Sequence, residues 1–305
     1  MNRQSNPVKP PPAAAGGVYA ASAFLIWGMS PLFWKMLGAV PAFEILMHRV
    51  VWSFASLALL ILVLGRWPAF FSGVKDIKTL FFLGLSTCVV AANWFLYIWA
   101  VNSAHVLQAS LGYYINPLVN VLLGMVFLRE RLRLLQGVAV ALAAVGVSWL
   151  TVSYGQFPWI ALTLAFSFGF YGLIRKVVPI GALEGLAVET LLLTLPALAV
   201  LIHLNGSGRG AFLHTGFQTD LLLIGSAFLT ALPLLLFTRA ARRLRLSTLG
   251  FFQYIAPSCM FLLGALVYGE PLSAAQMATF VLVWSALGLY SADALLYSRR
   301  ASPCD

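Results

Sequence analysis

Charge is what this 305-residue chain has least of: 9% of its residues are Asp, Glu, Lys or Arg, and only nine of them are acidic. Soluble domains carry roughly 25%, so a water-exposed globule is excluded. Cysteine is scarce too. Cys88, Cys259 and Cys304 show no CxxC spacing and no His neighbours, which excludes a zinc ribbon or a dithiol redox centre and leaves packing thiols. The four histidines, at 48, 105, 203 and 214, form no HExxH or other ligand spacing, so no metal site is expected. A GxSxG nucleophile elbow and a P-loop are both missing. Their absence removes the common hydrolase route and excludes nucleotide-driven work within this chain. No cofactor is expected, and any work must come from a solute or proton gradient.

Apolar residues fill the space that charge leaves. They make up 61% of the chain, with a mean hydropathy of +0.91, and they come in runs of about 20, the length that crosses a bilayer core roughly 30 Å thick. The runs place helices at 17–38, 43–65, 78–101, 105–128, 132–153, 157–177, 183–204, 219–241, 246–268 and 273–297. The fold class is an all-α membrane protein of ten transmembrane helices. Only the 203–219 connection is long, so no soluble catalytic domain fits. Residues 1–16 are Pro-rich and aperiodic and read as a disordered arm, with 298–305 as a tail. A cleaved signal peptide is not expected, because the first run is span-length and further spans follow it.

The net charge of +10 would suit a nucleic-acid partner, but its placement marks topology instead, and no nucleic acid is expected. One alternating set of helix ends holds Arg3 and Lys9; Arg66, Lys75 and Lys78; Arg129, Arg131 and Arg133; Arg175 and Lys176; Arg239, Arg242, Arg243 and Arg245; and Arg299 and Arg300. The other set holds Lys35 and Arg209. By the positive-inside rule the basic set, with both termini, faces the cytoplasm of a cell whose inner membrane is the partner bilayer.

Sliding the chain against itself by 140 residues aligns Glu44 with Glu184, Ala100 with Ala240, Tyr114-Ile115 with Tyr254-Ile255, Pro117 with Pro257, Glu130 with Glu270 and Gln136 with Gln276. In the first helix of each half the register is 141, pairing Gly28 with Gly169 and Lys35 with Lys176. Such agreement points to a duplication. Five crossings per copy is an odd number, so the second copy enters the membrane upside down. That is the inverted-repeat design of secondary transporters, with a site between the halves.

Ionisable side chains inside spans are costly and normally face a cavity or a partner. Helix 2 carries Glu44, His48 and Arg49. The first two share a face, and Arg49 lies about 100° round from His48. Helix 7 contributes Glu189, the 140-residue mate of Arg49. Two readings stay open: Arg49 binds an anionic group or gates a cavity with Glu189, or the two form a structural ion pair. Lys35 either snorkels or neutralises Glu44. Glu44, His48 and Glu189 are the buried candidates for proton coupling. The polar and aromatic set is Trp27, Asn93, Trp94, Tyr97, Tyr113, Tyr114, Asn116, Asn120, Tyr171, Gln253 and Tyr254; each is a cavity candidate, or a packing or interfacial residue. An in-span Asn needs a hydrogen-bond partner, so Asn93, Asn116 and Asn120 should face inward. Pro117 and Pro257 each free a carbonyl one turn earlier and are candidate hinges.

The stretches HRVVWSF (48–54), NWFLYIWAVN (93–102), ASLGYYINPLVNVLLGMVFLRE (109–130), LAFSFGFYGLIRK (164–176) and RLRLSTLGFFQYIAPSCMFLLGALVYGE (243–270) resemble the RarD branch of the EamA-type drug/metabolite transporter (DMT) superfamily. The resemblance implies an inner-membrane permease of two EamA repeats, here 17–153 and 157–297. It also implies a cavity between helices 1–4 and 6–9, with helices 5 and 10 outside. One departure is Arg129, which stands where the repeat commonly has Gly, as at Gly269. The expected function is transport of a small metabolite or drug-like solute by alternating access. The rivals are a membrane scaffold or sensor, and an embedded enzyme, for which no catalytic dyad is found.

Overall fold

The computed structural model describes residues 13–102, 105–267 and 273–301. Among them there is no strand, and ten helical stretches are long and apolar enough to cross a membrane. The helices are α1 (Ala13–Met36), α2 (Ala42–Val63), α3 (Trp67–Lys75), α4 (Ile77–Asn102), α5 (Val106–Leu128), α6 (Leu134–Tyr154), α7 (Trp159–Val177), α8 (Ala182–Gly206), α9 (Phe217–Gly225), α10 (Phe228–Ala241), α11 (Leu246–Gln253), α12 (Ile255–Leu262) and α13 (Ala274–Ala301). The pairs α9–α10 and α11–α12 each make one span, the second continuing into a π-helical turn at Leu263–Val267. At the α11–α12 joint Tyr254 keeps right-handed helical dihedrals (φ −62°, ψ −16°), so the span is interrupted without unwinding. Pro257 accounts for the site of the interruption, since its missing N–H orphans the Gln253 carbonyl one turn earlier. Pro117, its mate, lies inside an uninterrupted α5.

Two local features depart from expectation. Helix α1 starts at Ala13, so the last four residues of the expected arm are helical, while residues 1–12 lie outside the described set. The connection after α2 folds into α3, a short helix begun by Pro68 near its N-terminus and carrying a Trp67, Phe70 and Phe71 cluster. Asp76 follows it and accepts from the Thr79 hydroxyl (2.6 Å) and amide (3.2 Å), capping α4. Those bonds hold its carboxyl below the usual range.

At the end of α5, Arg129 takes the left-handed conformation (φ 54°), which disfavours any residue with a Cβ. The Gly common at that point of the repeat meets a backbone demand that Arg129 meets under strain. Beside it Glu130 accepts from the Leu246 amide (2.6 Å), the Ser247 amide (3.0 Å) and the Ser247 hydroxyl (2.7 Å), satisfying orphan donors at the start of α11.

Packing between helices runs parallel to the 140-residue register. Helix α2 packs on α8, α5 on α11 and α6 on α13, each pairing a span with its own mate. The contact of α1 with α10 is answered by that of α7 with α4, and α1 on α12 by α7 on α5. The mates Gly28 and Gly169 sit at these last two crossings. A Cβ on Gly28 would come within 2.7 Å of the Cys259 Cβ, and one on Gly169 within 2.9 Å of Val119. Small residues let backbones approach where no hydrophobic effect drives association.

The α5 span window is 56% buried and that of α13 22%, while α6, at 28%, is covered to the same extent as α1 and α4, so burial alone does not set α6 outside them. Large apolar side chains such as Leu59, Phe95, Trp149, Leu195 and Ile202 lie exposed around the bundle, a surface that suits lipid and not water. Cys88 is also exposed, not packed as expected; Cys259 is partly covered.

Candidate functional site: a central cavity and a sealed ion cluster

A cavity of about 470 Å³ lies between α1, α2, α4, α5, α7, α10, α11 and α12, within the size range of small-molecule sites. Helical spacing supplies its walls. Trp27, Pro31 and Trp34 occupy one face of α1; Ala42, Ile45 and Arg49 one face of α2; Asn93, Trp94 and Tyr97 one face of α4; Ala109, Tyr113 and Asn116 one face of α5. Trp34, Ala42, Ile98 and Ala109 bring it to the end of the bundle where α1 joins α2 and α4 approaches α5. The opposite end carries the Arg- and Lys-rich connections and is called the basic end below.

Arg49 is the only charged residue among the described residues of the lining. Its Nε donates to the Thr230 hydroxyl at 2.9 Å, and its guanidinium carbon lies 4.9 Å from the Trp34 ring centre and 5.7 Å from that of Trp94. No described carboxylate lies within ion-pair distance of it. Amides line the other walls. Asn93 Nδ2 donates to the Leu164 carbonyl (2.9 Å) and the Ser167 hydroxyl (2.8 Å). Asn120, fully buried behind the wall, donates from Nδ2 to Gln253 Oε1 and toward Asn116 Oδ1 (3.5 Å).

Glu44 and His48 face elsewhere, as their position on α2 requires. They line a smaller pocket of about 250 Å³ with Trp52, Leu198, Leu201 and Phe212. Glu44 Oε1 accepts the Ala211 amide (2.6 Å) and lies 3.9 Å from His48 Nε2. Its mate Glu184 answers at the basic end, where Arg66 Nε lies 2.7 Å from Glu184 Oε1. Each of these carboxylates, in the first turn of its helix, thus clasps chain that follows the end of the other's helix.

Glu189 and Tyr171 lie outside the cavity, in a cluster near the basic end. Arg175 Nε is 3.6 Å from Glu189 Oε1, Tyr171 OH donates to Glu189 Oε2 at 3.3 Å, and Ser86 Oγ donates to Glu189 Oε1. Arg175 also donates to the Ala182 carbonyl (3.1 Å) and is only 1% exposed. Glu189 and Arg49 do not pair; each has its own neighbourhood. Tyr254 is fully buried among Val121, Phe251 and Tyr290, with Tyr114 packed beside them, and neither lines the cavity. Sequence reasoning does not single out Trp34, Thr230, Phe168, Ser86 or the inward turn of Arg175. The 141-residue register holds the signal for one of these relations, because it sets Trp34 against Arg175.

The sequence model of the EamA-like transporter family matches residues 14–152. An "Uncharacterized transporter" of Vibrio cholerae is 51% identical over 95% of this chain and 96% of its own length. "Protein RarD" of Salmonella typhimurium is 49% identical, covering 93% and 97%. The chain belongs to the EamA-like transporter family. Within the drug/metabolite transporters it falls in the RarD branch. A solved crystal structure only 18% identical covers 95% of the chain and 99% of its own, with a TM-score of 0.69, which shows the shared fold alone.

In this EamA-like transporter the repeat register relates the two charged sites residue by residue. Arg49 corresponds to Glu189, Trp34 to Arg175 and Ser226 to Ser86. Arg49 and Trp34 border a cavity, with Ser226 buried outside its lining, and the other set is closed around an ion pair.

Proposed function

We propose that the chain is a secondary permease of the bacterial inner membrane that moves a small solute by alternating access, with the basic end and both termini in the cytoplasm. The observation that carries this reading is the asymmetry of a symmetric frame. The largest helix contacts map onto themselves when the halves are exchanged, yet the cavity reaches one end while the Arg175–Glu189 cluster fills the equivalent place near the other. An inverted repeat caught on one side of its cycle has that form. In the opposite state the Arg175 cluster parts and the Arg49 side closes. Glu44, His48 and Glu189 supply groups through which a proton can be coupled.

The test is reconstitution. In a cysteine-free background, Ala42→Cys should react with a membrane-impermeant thiol reagent from the non-cytoplasmic side and Ser86→Cys should not. Proteoliposomes should equilibrate or accumulate a solute found by comparing metabolites of cells with and without the protein. A scaffold or sensor leaves solute distribution unchanged, and that result ends the reading.

A further inference from the structure

We infer that the cavity selects organic anions: its solute carries one small anionic group, of carboxylate type, on an apolar ring-bearing body, with the anion seated on Arg49. This deepens the permease reading and rests on it for why a solute enters, whereas the charge preference stands on the cavity's own chemistry.

Arg49 is a cation without a described counter-charge. No described Asp or Glu lines the cavity, and no described carboxylate forms an ion pair with the guanidinium. Among the described hydrogen bonds, the guanidinium makes one, from Nε to Thr230. The outer guanidinium edge, which binds carboxylates in two-point fashion, makes no described hydrogen bond, and the guanidinium carbon lies 4.9 Å from the Trp34 ring centre and 5.7 Å from that of Trp94. Cations inside membrane proteins ordinarily meet a partner. The mate site shows what such a partner looks like here, since Arg175 has the carboxylate of Glu189.

The amides point the same way. Asn120 occupies Gln253 Oε1 and approaches Asn116 Oδ1, so these two lining residues offer their remaining N–H groups, which suit acceptors on a solute. Asn93 is the converse: its Nδ2 is used twice, leaving Oδ1 for one donor on the solute. Between these polar points Trp27, Phe168 and Tyr113 present ring surface. A cationic solute would meet Arg49 with no described acid in the lining to offset the repulsion, and a neutral one would leave the guanidinium with its Thr230 bond and ring contacts but no counter-charge.

Three probes of one shape, phenylacetate, phenylacetamide and 2-phenylethylamine, separate these cases by calorimetric titration of the purified wild-type protein. Phenylacetate should bind at least about tenfold tighter than phenylacetamide, with no binding of the amine. Arg49→Gln should erase the difference, and Arg49→Lys should keep a weaker one. Equal affinities, tighter binding of the amine, no binding of any probe at millimolar concentration, or a preference that survives Arg49→Gln each overturns the inference. Should Arg49→Gln not fold, the wild-type series and Arg49→Lys decide. Anion-selective binding without flux of phenylacetate across proteoliposomes counts against the permease and leaves this inference standing; flux of all three probes without charge preference does the reverse.

Discussion

The surroundings of Arg49 and of Glu189 occupy equivalent positions in the two halves and have opposite characters. Around Glu189 the protein supplies the partners: Ser86 and Tyr171 donate to it, Arg175 faces it as counter-charge with Nε and Nη1 making no hydrogen bond, and both charged residues are almost wholly buried. Around Arg49 an aromatic face stands where the mate site has a cation, and the guanidinium borders open volume. Within the frame that the 140-residue register describes, the residues at two matched positions differ, and with them whether the space is filled by the protein or left open. The filled site should therefore behave as structure and the open one as recognition.

The largest effect is expected where that contrast is broken by removing one charge of the filled site. Glu189→Ala leaves Arg175 buried without its partner, and unpairing a buried charge costs about 3–5 kcal/mol. Thermal unfolding in detergent should fall sharply or folded protein should be lost. Arg175→Met combined with Glu189→Leu should recover most of the loss, because replacing a buried pair with apolar volume is often neutral. A double variant as unstable as the single one would show that the cluster is held by something other than its charges.

A smaller effect is expected from Gly185→Ala. A Cβ at Gly185 would run into the Arg175 guanidinium, and overpacking of this kind costs about 1–3 kcal/mol. Arg175→Met in the same chain should relieve it, measured by the same melts. Ser86→Ala should cost less, about 1 kcal/mol for one lost hydrogen bond, since Tyr171 continues to donate to Glu189.

Much of this is legible in the sequence, and what is not has a physical reason. Span number follows from run length, and the mating of Arg49 with Glu189 follows from the 140-residue register. Depth within a span does not reveal direction: Arg175 belongs by position with the basic helix ends, yet it turns inward because Gly185 leaves room for its guanidinium. Charge counting at helix ends registers axial position and not helix face. Trp34 and Thr230 escape notice because an aromatic near a helix end and a lone hydroxyl look like interface and packing until a cation is placed between them. Helix α3 is too short and too mixed to register as a run. Asn120, by contrast, is expected to turn inward and does, but as a support behind the wall that orients Gln253.

The smallest expected change is the most telling. Arg49→Met keeps much of the side chain's length while removing its charge. The bond to Thr230 and the contact with Trp34 are lost, but the uncompensated cation goes with them, and no described carboxylate is left unpaired by the change. These contributions oppose one another, so the melting temperature in the absence of solute should stay where it is or rise slightly. Stabilisation by phenylacetate should disappear, because ligand stabilisation tracks affinity for the native state. A loss of stability comparable to that of Glu189→Ala would mean that Arg49 is held by the fold as tightly as its mate, and the open site would then be only a second structural one.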